Sequence, residues 1–358
     1  MFFDVNKKQL EEFVKMSRIG GSRVDYVQGG GGNTSVKLPG GRMAIKASGF
    51  CLKDIETRQG YTVVNCDAIR DFYRNHEPAD FADPELAGAQ CTNANILSIE
   101  GLPKNRPSVE VGFHSVLKTY VLHTHSVYAN LVACTVGGRE VAAKAFENAP
   151  YSWGWVDYQD PGAKLAFAIR DEMDRVERET GKIPAVILMQ NHGIIVHDDD
   201  ALTALAYHSD ANVRLAAQFS LAENAFPPIA VEALAGGVYR AATPYLKAQL
   251  TNCKYTQQQL ITEPLYPDQM VFLTGTYFQD QDGIEDGQAV SNTQNGELLM
   301  RMGAGKAQTM TETLSAVFFI MENIQKAGYT VSTMSDAARN FISNWESEKY
   351  RKALSDKK

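Results

Sequence analysis

Three histidines have the residue type and the spacing of a metal site. His123 and His125 are separated by one residue in a predicted strand, so both imidazoles point to one face of it. His192 lies between Asn191 and Gly193, directly after a second buried apolar run. An isolated His-x-His pair is more often exposed or hydrogen-bonded, but the third histidine favours a metal ion. Neutral imidazoles suit zinc, and a catalytic zinc site has about three protein ligands and an open position.

Glu110 is an acidic residue for which the sequence leaves two roles open. It follows Pro107 and Ser108 at the predicted start of a helix, where the helix macrodipole favours an acidic side chain. Alternatively, a carboxylate beside the metal could remove a proton from a carbon next to a metal-polarised carbonyl. His114, one helical turn later, is predicted to be a structural partner. The remaining histidines, His76, His197 and His208, are predicted to be solvated or locally hydrogen-bonded.

Small and polar residues form a candidate phosphate site. A run of four glycines precedes an Asn-Thr-Ser triplet, which leaves the backbone free to close on an anion. The sequence lacks both the Gly-x-Gly-x-x-Gly fingerprint of dinucleotide-binding folds and the Gly-Lys-Ser/Thr of a Walker loop, so neither site is predicted. Taken singly, each candidate is ordinary turn chemistry. The candidates are Gly32, Asn33, Ser48, Gly49 and Ser108, with Lys46 as a nearby cation.

The elements that must position these residues have a mixed α/β pattern. Apolar residues at helical spacing predict an opening helix over 7–18, and short apolar runs predict strands. The stretch 28–35 is predicted to be irregular, and 76–106 is predicted to be a long excursion. Two prolines indicate a boundary near residue 226, so the predicted domains are 1–225 and 226–358. Strands are predicted at 43–47, 61–65, 119–125, 184–190, 194–196, 270–273 and 297–302, and helices from 108, over 126–134, from 201 to 221, over 306–327 and over 334–352.

The composition is that of an ordinary globular protein. The 358 residues carry a net charge of −7, which argues against a general nucleic-acid partner, and 44% of them are hydrophobic. The longest apolar run, around 314–321, is far shorter than the ~20 residues of a membrane span, so no membrane partner is predicted. The five scattered cysteines include no Cys-x-x-Cys pair, which favours reduced thiols. With no signal-peptide pattern at the N-terminus, we expect a cytoplasmic protein.

Five separated motifs together resemble the class II aldolase/adducin family. They occur in the order and spacing of that family, and the resemblance covers about residues 7–225. The residues at 28–35, 106–108 and 344–351 are most similar to the aldolase half of bifunctional rhamnulose-1-phosphate aldolase/dehydrogenases. The chain ends where the dehydrogenase half of those proteins would begin, so we expect it to lack that activity. The motifs are Gly32-Asn33-Thr34-Ser35, Lys46-Ala47-Ser48-Gly49, Pro107-Ser108-Val109-Glu110, His123-Thr124-His125 and Asn191-His192-Gly193.

The resemblance implies a role for each matching residue. It implies that His123, His125 and His192 hold a divalent metal ion, most often zinc, and that Glu110 is the catalytic acid/base. Val109 stands where fuculose aldolases have a second phosphate-binding serine, so the phosphate contacts depart from the family pattern. The implied fold is a three-layer α/β fold with a central mixed, largely antiparallel sheet, followed here by a smaller C-terminal α/β domain. The implied phosphate or substrate contacts are Gly32, Asn33, Ser48, Gly49 and Ser108.

The resemblance also implies a function. The expected activity is cleavage of a ketose 1-phosphate, similar to rhamnulose or fuculose 1-phosphate, to dihydroxyacetone phosphate and an aldehyde. Two alternatives stay open within the family, a sugar-phosphate 4-epimerase and a sugar-acid-phosphate decarboxylase, because they use the same metal ligands. A non-catalytic binding protein on this fold is a third alternative, although the intact histidine set favours an enzyme. Family members are tetramers with sites at subunit junctions, so a homotetramer is expected.

Overall fold

An eight-stranded sheet forms the first part of the chain in the computed structural model, which describes residues 2–344. Its strand order is β4-β3-β2-β1-β5-β8-β7-β6. Neighbouring strands are antiparallel except β6 and β7, which are parallel, so the sheet is mixed as predicted. The strands are β1 (Asn33–Leu38), β2 (Arg42–Lys46), β3 (Tyr61–Asn65), β4 (Ile96–Leu97), β5 (Tyr120–Thr124), β6 (Trp153–Val156), β7 (Val186–Met189) and β8 (Gly193–Asp198).

Helices cover both faces of this sheet. Because successive strand residues point to opposite faces, Ala44 and Leu122 belong to one buried apolar cluster, while Ile45 and Val121 belong to another on the opposite face. Three layers result, as the family resemblance implied. The helices are α1 (Phe2–Val5), α2 (Lys7–Gly21), α3 (Cys66–Asn75), α4 (Pro84–Ala94), α5 (Val111–Val116), α6 (Val127–Ala133), α7 (Gly138–Ala145), α8 (Ala163–Thr180) and α9 (Ala201–Ala217).

A second, smaller sheet forms after residue 226, and we call residues 226–344 the C-terminal extension. Its strand order is β11-β12-β13-β10-β9, in which only β11 and β12 are parallel neighbours. The strands are β9 (Val231–Ala233), β10 (Val238–Ala241), β11 (Tyr277–Gln279), β12 (Ala289–Asn292) and β13 (Glu297–Arg301). The helices are α10 (Pro244–Leu250), α11 (Gln257–Thr262), α12 (Pro267–Leu273), α13 (Ala304–Lys326) and α14 (Asp336–Asn344).

Helix α13 joins the extension to the first part of the molecule. Its residues 311–320 are all buried, and it packs against α6 on one side and against α10, α12 and β10 of the extension on the others. A helix that is buried on all sides is typical of a position inside a core. Phe319 contacts Tyr128 of α6 and Phe226, with ring centroids 6.3 and 5.2 Å apart. One hydrophobic core therefore continues from the first sheet's helices into the extension.

Three predicted elements differ from the structure. The strand predicted at 270–273 is wrong, because Pro267 begins a helix there and a short apolar run does not distinguish a strand from a buried helix. Asn33 and the two residues after it begin β1, although they were predicted to be irregular. Part of the predicted excursion 76–106 is helix α4, which Asp83 caps. Of the helix predicted over 334–352, residues 345–352 lie outside the described part of the chain, as do 345–351 of the C-terminal motif.

Within residues 2–344, no helix is both long enough and apolar enough to cross a membrane. The apolar run around 314–321 belongs to the buried part of α13. The five cysteines are all unpaired thiols, which agrees with the prediction of reduced cysteines.

Candidate active site

Strands β5 and β8 bring the three predicted histidines together. His123 lies on β5 opposite Ile195 of β8, His125 directly follows β5, and His192 lies in the turn between β7 and β8. The ring centroids are 4.9 to 5.2 Å apart, and one nitrogen from each ring lies within 4.8 Å of the others. The exposed fractions of the three side chains are only 0, 4 and 3%. This buried triad is placed to bind a divalent metal ion.

The tight turn at residues 191–193 explains how His192 reaches the other two histidines. Asn191 has a φ of 51°, a left-handed conformation that asparagine tolerates better than most residues. Its side-chain amide donates hydrogen bonds to the carbonyls of Leu265 and Ser332, both at 2.9 Å. A Cβ on Gly193 would lie 2.4 Å from the carbonyl oxygen of Thr124. Glycine at this position therefore allows β8 to approach β5 and brings His192 to the site.

Hydrogen bonds fix the orientation of two of the imidazoles. The Nδ1 atom of His123 donates to the carbonyl of Ile194 at 3.0 Å, and Nδ1 of His125 donates to Oδ2 of Asp268 at 2.5 Å. These bonds place the ring protons on Nδ1, so the lone pairs lie on the two Nε2 atoms, which are 3.1 Å apart. Burial lowers the pKa of His123 to about 3, so this ring is neutral near pH 7. Neutral imidazoles in this orientation are competent metal ligands.

Glu110 faces the histidines and leaves the backbone of its own helix uncapped. Its carboxylate oxygens lie 3.5 Å from Nε2 of His123 and 3.1 Å from Nε2 of His192. It occupies the position before α5, yet its side chain makes no capping hydrogen bond. Burial raises the pKa of Glu110, but electrostatic interaction with the neighbouring imidazoles, His123 first, stabilises the carboxylate more strongly and holds the pKa well below its usual value. Of the two predicted roles, the geometry favours a carboxylate that acts at the metal.

The residues around the convergent imidazole nitrogens fit a metal ion. Oε1 of Glu110 is buried and has no hydrogen-bond partner of suitable geometry. The Nε2 atoms of His123 and His125 point their lone pairs at each other across 3.1 Å, which is unfavourable without a cation or a proton between them. Three imidazole nitrogens beside one carboxylate form a donor set that suits zinc and its neighbours in the transition series.

A cavity opens beside the triad and brings the predicted site residues to one wall. Of the nine residues predicted for the site, only His123 does not line the cavity, because it lies fully buried behind it. The Nζ atom of Lys46 donates to the carbonyl of Gly30 at 3.1 Å and thereby joins two candidate phosphate loops. The cavity is lined by Gly30, Gly32, Asn33, Lys46, Ser48, Gly49, Ser108, Val109, Glu110, His125, Pro161, His192 and Pro267.

The side chain of Asn33 is bonded to three protein groups. Its Nδ2 atom donates to Oγ of Ser108 at 3.0 Å and to Oε2 of Glu110 at 2.5 Å, while its Oδ1 accepts from Nε2 of His114. Nδ1 of His114 in turn bonds to Oγ of Ser35 at 2.7 Å. His114 is therefore the structural partner that the sequence predicted, although it acts on Glu110 through Asn33. These bonds orient the Glu110 carboxylate toward the histidines.

The other histidines lie outside this site. His76 is exposed and bonds to the carbonyl of Phe72. His197 and His208 are locally bonded as predicted, but both are fully buried: Nδ1 of His197 accepts from the backbone of Lys118, and Nε2 of His208 bonds to Oγ1 of Thr124 at 2.8 Å. Burial lowers the pKa of both residues to about 3.

Sequence reasoning did not identify the residues that the C-terminal extension brings to this region. Pro267 lines the cavity, and Asp268 binds His125. Glu312 of α13 accepts a hydrogen bond from the backbone N–H of Gly29 at 2.8 Å, at the start of the glycine run. A Pro-Asp pair is typical of many helix starts, so the sequence contains no signal that would have assigned Asp268 to a metal site.

Comparisons with known proteins match the first part of the chain to one family. The model of the class II aldolase and adducin N-terminal domain family matches residues 11–218. A curated relative, the uncharacterized oxidoreductase YuxG of Bacillus subtilis (strain 168), is 25% identical over 205 residues, which is 55% of this chain. The match spans only 27% of the length of that relative.

Two solved structures are similar to the first part of the chain. The N-terminal class II aldolase domain of a conserved protein from Thermoplasma acidophilum is 25% identical, with a TM-score of 0.47 over 57% of this chain and 91% of that one. The L-fuculose 1-phosphate aldolase from Glaciozyma antarctica PI12 is 13% identical, with a TM-score of 0.38 over 59% of this chain and 72% of that one. Because the family model matches more than half of the chain, the protein belongs to the class II aldolase and adducin family.

Proposed function

We propose that this protein is a metal-dependent aldolase that cleaves a ketose 1-phosphate to dihydroxyacetone phosphate and an aldehyde. The observation that carries the proposal is the position of Glu110, whose buried Oε1 atom lacks a hydrogen-bond partner and lies beside three convergent imidazoles at the wall of a cavity. An acid/base carboxylate next to a metal is the arrangement required for proton transfer at a carbon beside a carbonyl.

We assign His123, His125 and His192 as the metal ligands, with zinc as the most suitable ion. When bound, the ion supplies electrophilic polarisation of the substrate carbonyl. The protein itself keeps two of the imidazoles in the ligand tautomer through the carbonyl of Ile194 and the carboxylate of Asp268. Burial of all three rings limits the access of water to the site.

The proposed reaction breaks the bond between the third and fourth carbons of the ketose. Ionised Glu110 takes the proton of the hydroxyl on the fourth carbon, which becomes the aldehyde carbonyl, while the third carbon keeps the electron pair of the broken bond. Glu110 then returns this proton to the third carbon. In the reverse direction, Glu110 removes that proton from dihydroxyacetone phosphate. Asn33 supports this role, because its hydrogen bond engages Oε2 and leaves Oε1 available for proton transfer.

We place the substrate phosphate near Ser48, Gly49, Ser108 and the Lys46 ammonium. All four line the cavity beside Glu110. A net charge of −7 tends to repel a phosphate dianion, so local hydroxyl, amide and ammonium groups must supply the attraction. Gly32 lines the cavity beside the triad. Asn33, predicted to be a further phosphate contact, has an amide that is already bonded to Ser108 and Glu110.

The test is a panel of phosphorylated sugars supplied to the zinc-loaded protein. Enzymatic detection of dihydroxyacetone phosphate should show its release from at least one ketose 1-phosphate, and Glu110→Gln is the matched inactive control. Epimerisation of a pentulose phosphate or release of carbon dioxide from a sugar-acid phosphate, without aldehyde, would identify one of the two alternative family activities instead. Absence of all three activities in metal-loaded protein would favour a non-catalytic binding protein. The expected homotetramer and the cytoplasmic location stay predictions.

A further inference from the structure

The C-terminal extension reaches the proposed metal centre through Asp268. This residue is the second of α12 and is fully buried, with Oδ2 lying 2.5 Å from Nδ1 of His125. The side chain of Gln269 holds this helix in place, since its Oε1 atom accepts from the backbone of Leu265 and its Nε2 atom donates to the carbonyl of Leu260, both at 2.8 Å. The carboxylate therefore contacts His125 from a fixed element 143 residues further along the chain.

Gly31, in the run of glycines, leaves room for the Asp268 carboxylate. A Cβ on Gly31 would lie 2.5 Å from Oδ2 of Asp268 and 3.0 Å from Nδ1 of His125. Any side chain at residue 31 would thus occupy the space in which the two groups meet. The lack of a side chain at Gly31 and the burial of Asp268 are two observations that both support the contact between Asp268 and His125.

Two further contacts tie the same region to the extension. Glu312 of α13 accepts from the backbone of Gly29, and Asn191 donates to the carbonyls of Leu265 and Ser332. The glycine run, the end of β5 and the turn that contains His192 are therefore each bonded to the extension. All three segments carry proposed ligands or substrate contacts.

From these contacts we infer that Asp268 is a positioning residue for His125 and that the extension completes the metal centre within its own chain. A carboxylate that accepts a proton from the distal nitrogen of a ligating histidine fixes the tautomer, orients the ring and increases the basicity of the metal-binding nitrogen. Asp268 does this from outside the aldolase domain. The inference rests on the proposed metal site, but it does not depend on which sugar is cleaved.

The test compares zinc affinity in the full chain, measured by competition with a chromogenic chelator. Loss of such a partner typically weakens metal binding about 10- to 100-fold, and we expect this weakening for Asp268→Asn. Asp286→Asn is the matched control, because Asp286 belongs to the same extension and its side chain is 96% exposed; its affinity should equal that of the wild type. Cobalt-loaded Asp268→Asn should also show altered visible absorption, which a purely structural role would not produce.

The outcomes separate this inference from the proposed activity. Wild-type affinity together with a wild-type cobalt spectrum in Asp268→Asn would overturn the inference, whether or not the enzyme is active. Weakened zinc binding in Asp268→Asn would support it even if no ketose 1-phosphate is cleaved. Asp268→Asn is preferred to Asp268→Ala, because asparagine has nearly the same shape as aspartate. The asparagine variant therefore tests the inference even if the alanine variant fails to fold. A wild-type protein that binds no metal at the triad would overturn both proposals.

Discussion

A buried carboxylate oxygen without a hydrogen-bond donor costs free energy, so its presence needs a reason. Oε1 of Glu110 is such an atom, and it lies 3.1 Å from Nε2 of His192. Asn33 satisfies the other oxygen, which holds the carboxylate in one orientation. At the scale of single residues, this arrangement leaves Oε1 of Glu110 able to accept a proton or to contact a cation.

Glu110→Gln should retain fold and metal but lose roughly 10²- to 10⁴-fold in the rate of cleavage, the usual contribution of a positioned acid/base group. Glutamine has nearly the same shape but cannot carry the transferred proton. Steady-state kinetics, zinc content and thermal melting of the same preparation check this. If the variant instead cleaves at the wild-type rate and loses only stability, Glu110 is a structural acid.

Gly31→Ala should weaken zinc binding, because the new Cβ would lie where Asp268 meets His125. Gly30→Ala is a matched control in the same glycine run, since a Cβ there would meet only the carbonyl of Phe50, at 3.9 Å. Chelator competition should show a loss of about tenfold or more for residue 31, the scale of a disturbed histidine partner, and little change for residue 30. Equal affinities in the two variants would contradict this.

At the residue scale, local spacing was sufficient to select the three histidines that the structure brings together, but it left two roles open for Glu110. His123 and His125 share a strand face whatever the tertiary fold, and a histidine at 192 between asparagine and glycine is poor core material. Asp268 could not be predicted, because its partner is 143 residues away and an acid at a helix start has a simpler explanation. For Asn33 the sequence predicted a substrate contact, whereas its amide binds Glu110 and Ser108.

At the scale of elements, the turn after β2 and strand β1 contribute residues with different roles to the cavity. Ser48 and Gly49 lie in the turn, whereas Asn33 begins the strand next to β5 and is paired with His123. The strand therefore positions the Glu110 carboxylate, and we expect the turn to contact the substrate.

Ser48→Ala should raise the KM for a ketose 1-phosphate roughly ten- to a hundredfold, because a hydrogen bond to a charged group contributes about 1.5–3 kcal/mol. Asn33→Ala should mainly lower kcat, since it releases the Glu110 carboxylate. Kinetics on each sugar with and without its phosphate distinguish the two effects. If Ser48→Ala impairs both sugars equally, the phosphate does not bind at this turn.

The strands next to the three histidines were the easiest elements to predict. Strands β5, β7 and β8 are short apolar runs ended by turn residues, and both the period and the boundaries are clear in the sequence. Helix α12 was predicted as a strand at 270–273, because an apolar run of four residues fits either structure. Pro267, which begins this helix, also lines the cavity, so the wrong strand prediction missed α12 as an element of the site.

At the scale of the whole molecule, buried neutral histidines make stability depend on pH. Burial lowers the pKa of His208 to about 3 in the folded protein, from the usual value of 6.5. Below pH 6.5 the unfolded chain binds a proton that folded His208 does not, so the free energy of unfolding falls as the pH falls from 6.5 toward 3.

His208→Gln should therefore reduce the acid sensitivity of the fold. One pKa unit corresponds to about 1.4 kcal/mol, so between pH 7.5 and 5 the wild type should lose roughly 2 kcal/mol more of its unfolding free energy than the variant. Urea unfolding at several pH values gives the unfolding free energy of the wild type and of the variant as a function of pH. Only the difference between the slopes of these two curves is needed. Identical slopes would show that His208 does not contribute to acid sensitivity.

The contact between Asp268 and His125 also has a thermodynamic consequence for the extension. If the extension raises the affinity of the triad for zinc, zinc must stabilise the docked extension by the same coupling free energy, because linkage between two binding events is reciprocal. Hydrogen–deuterium exchange can detect this: adding zinc should slow amide exchange in α12 but leave the β9–β10 hairpin, at the edge of the second sheet opposite β11, unchanged. If exchange in α12 is the same with and without zinc, the two regions are energetically independent. If it slows, occupancy of the metal site by zinc also controls how often the C-terminal extension opens.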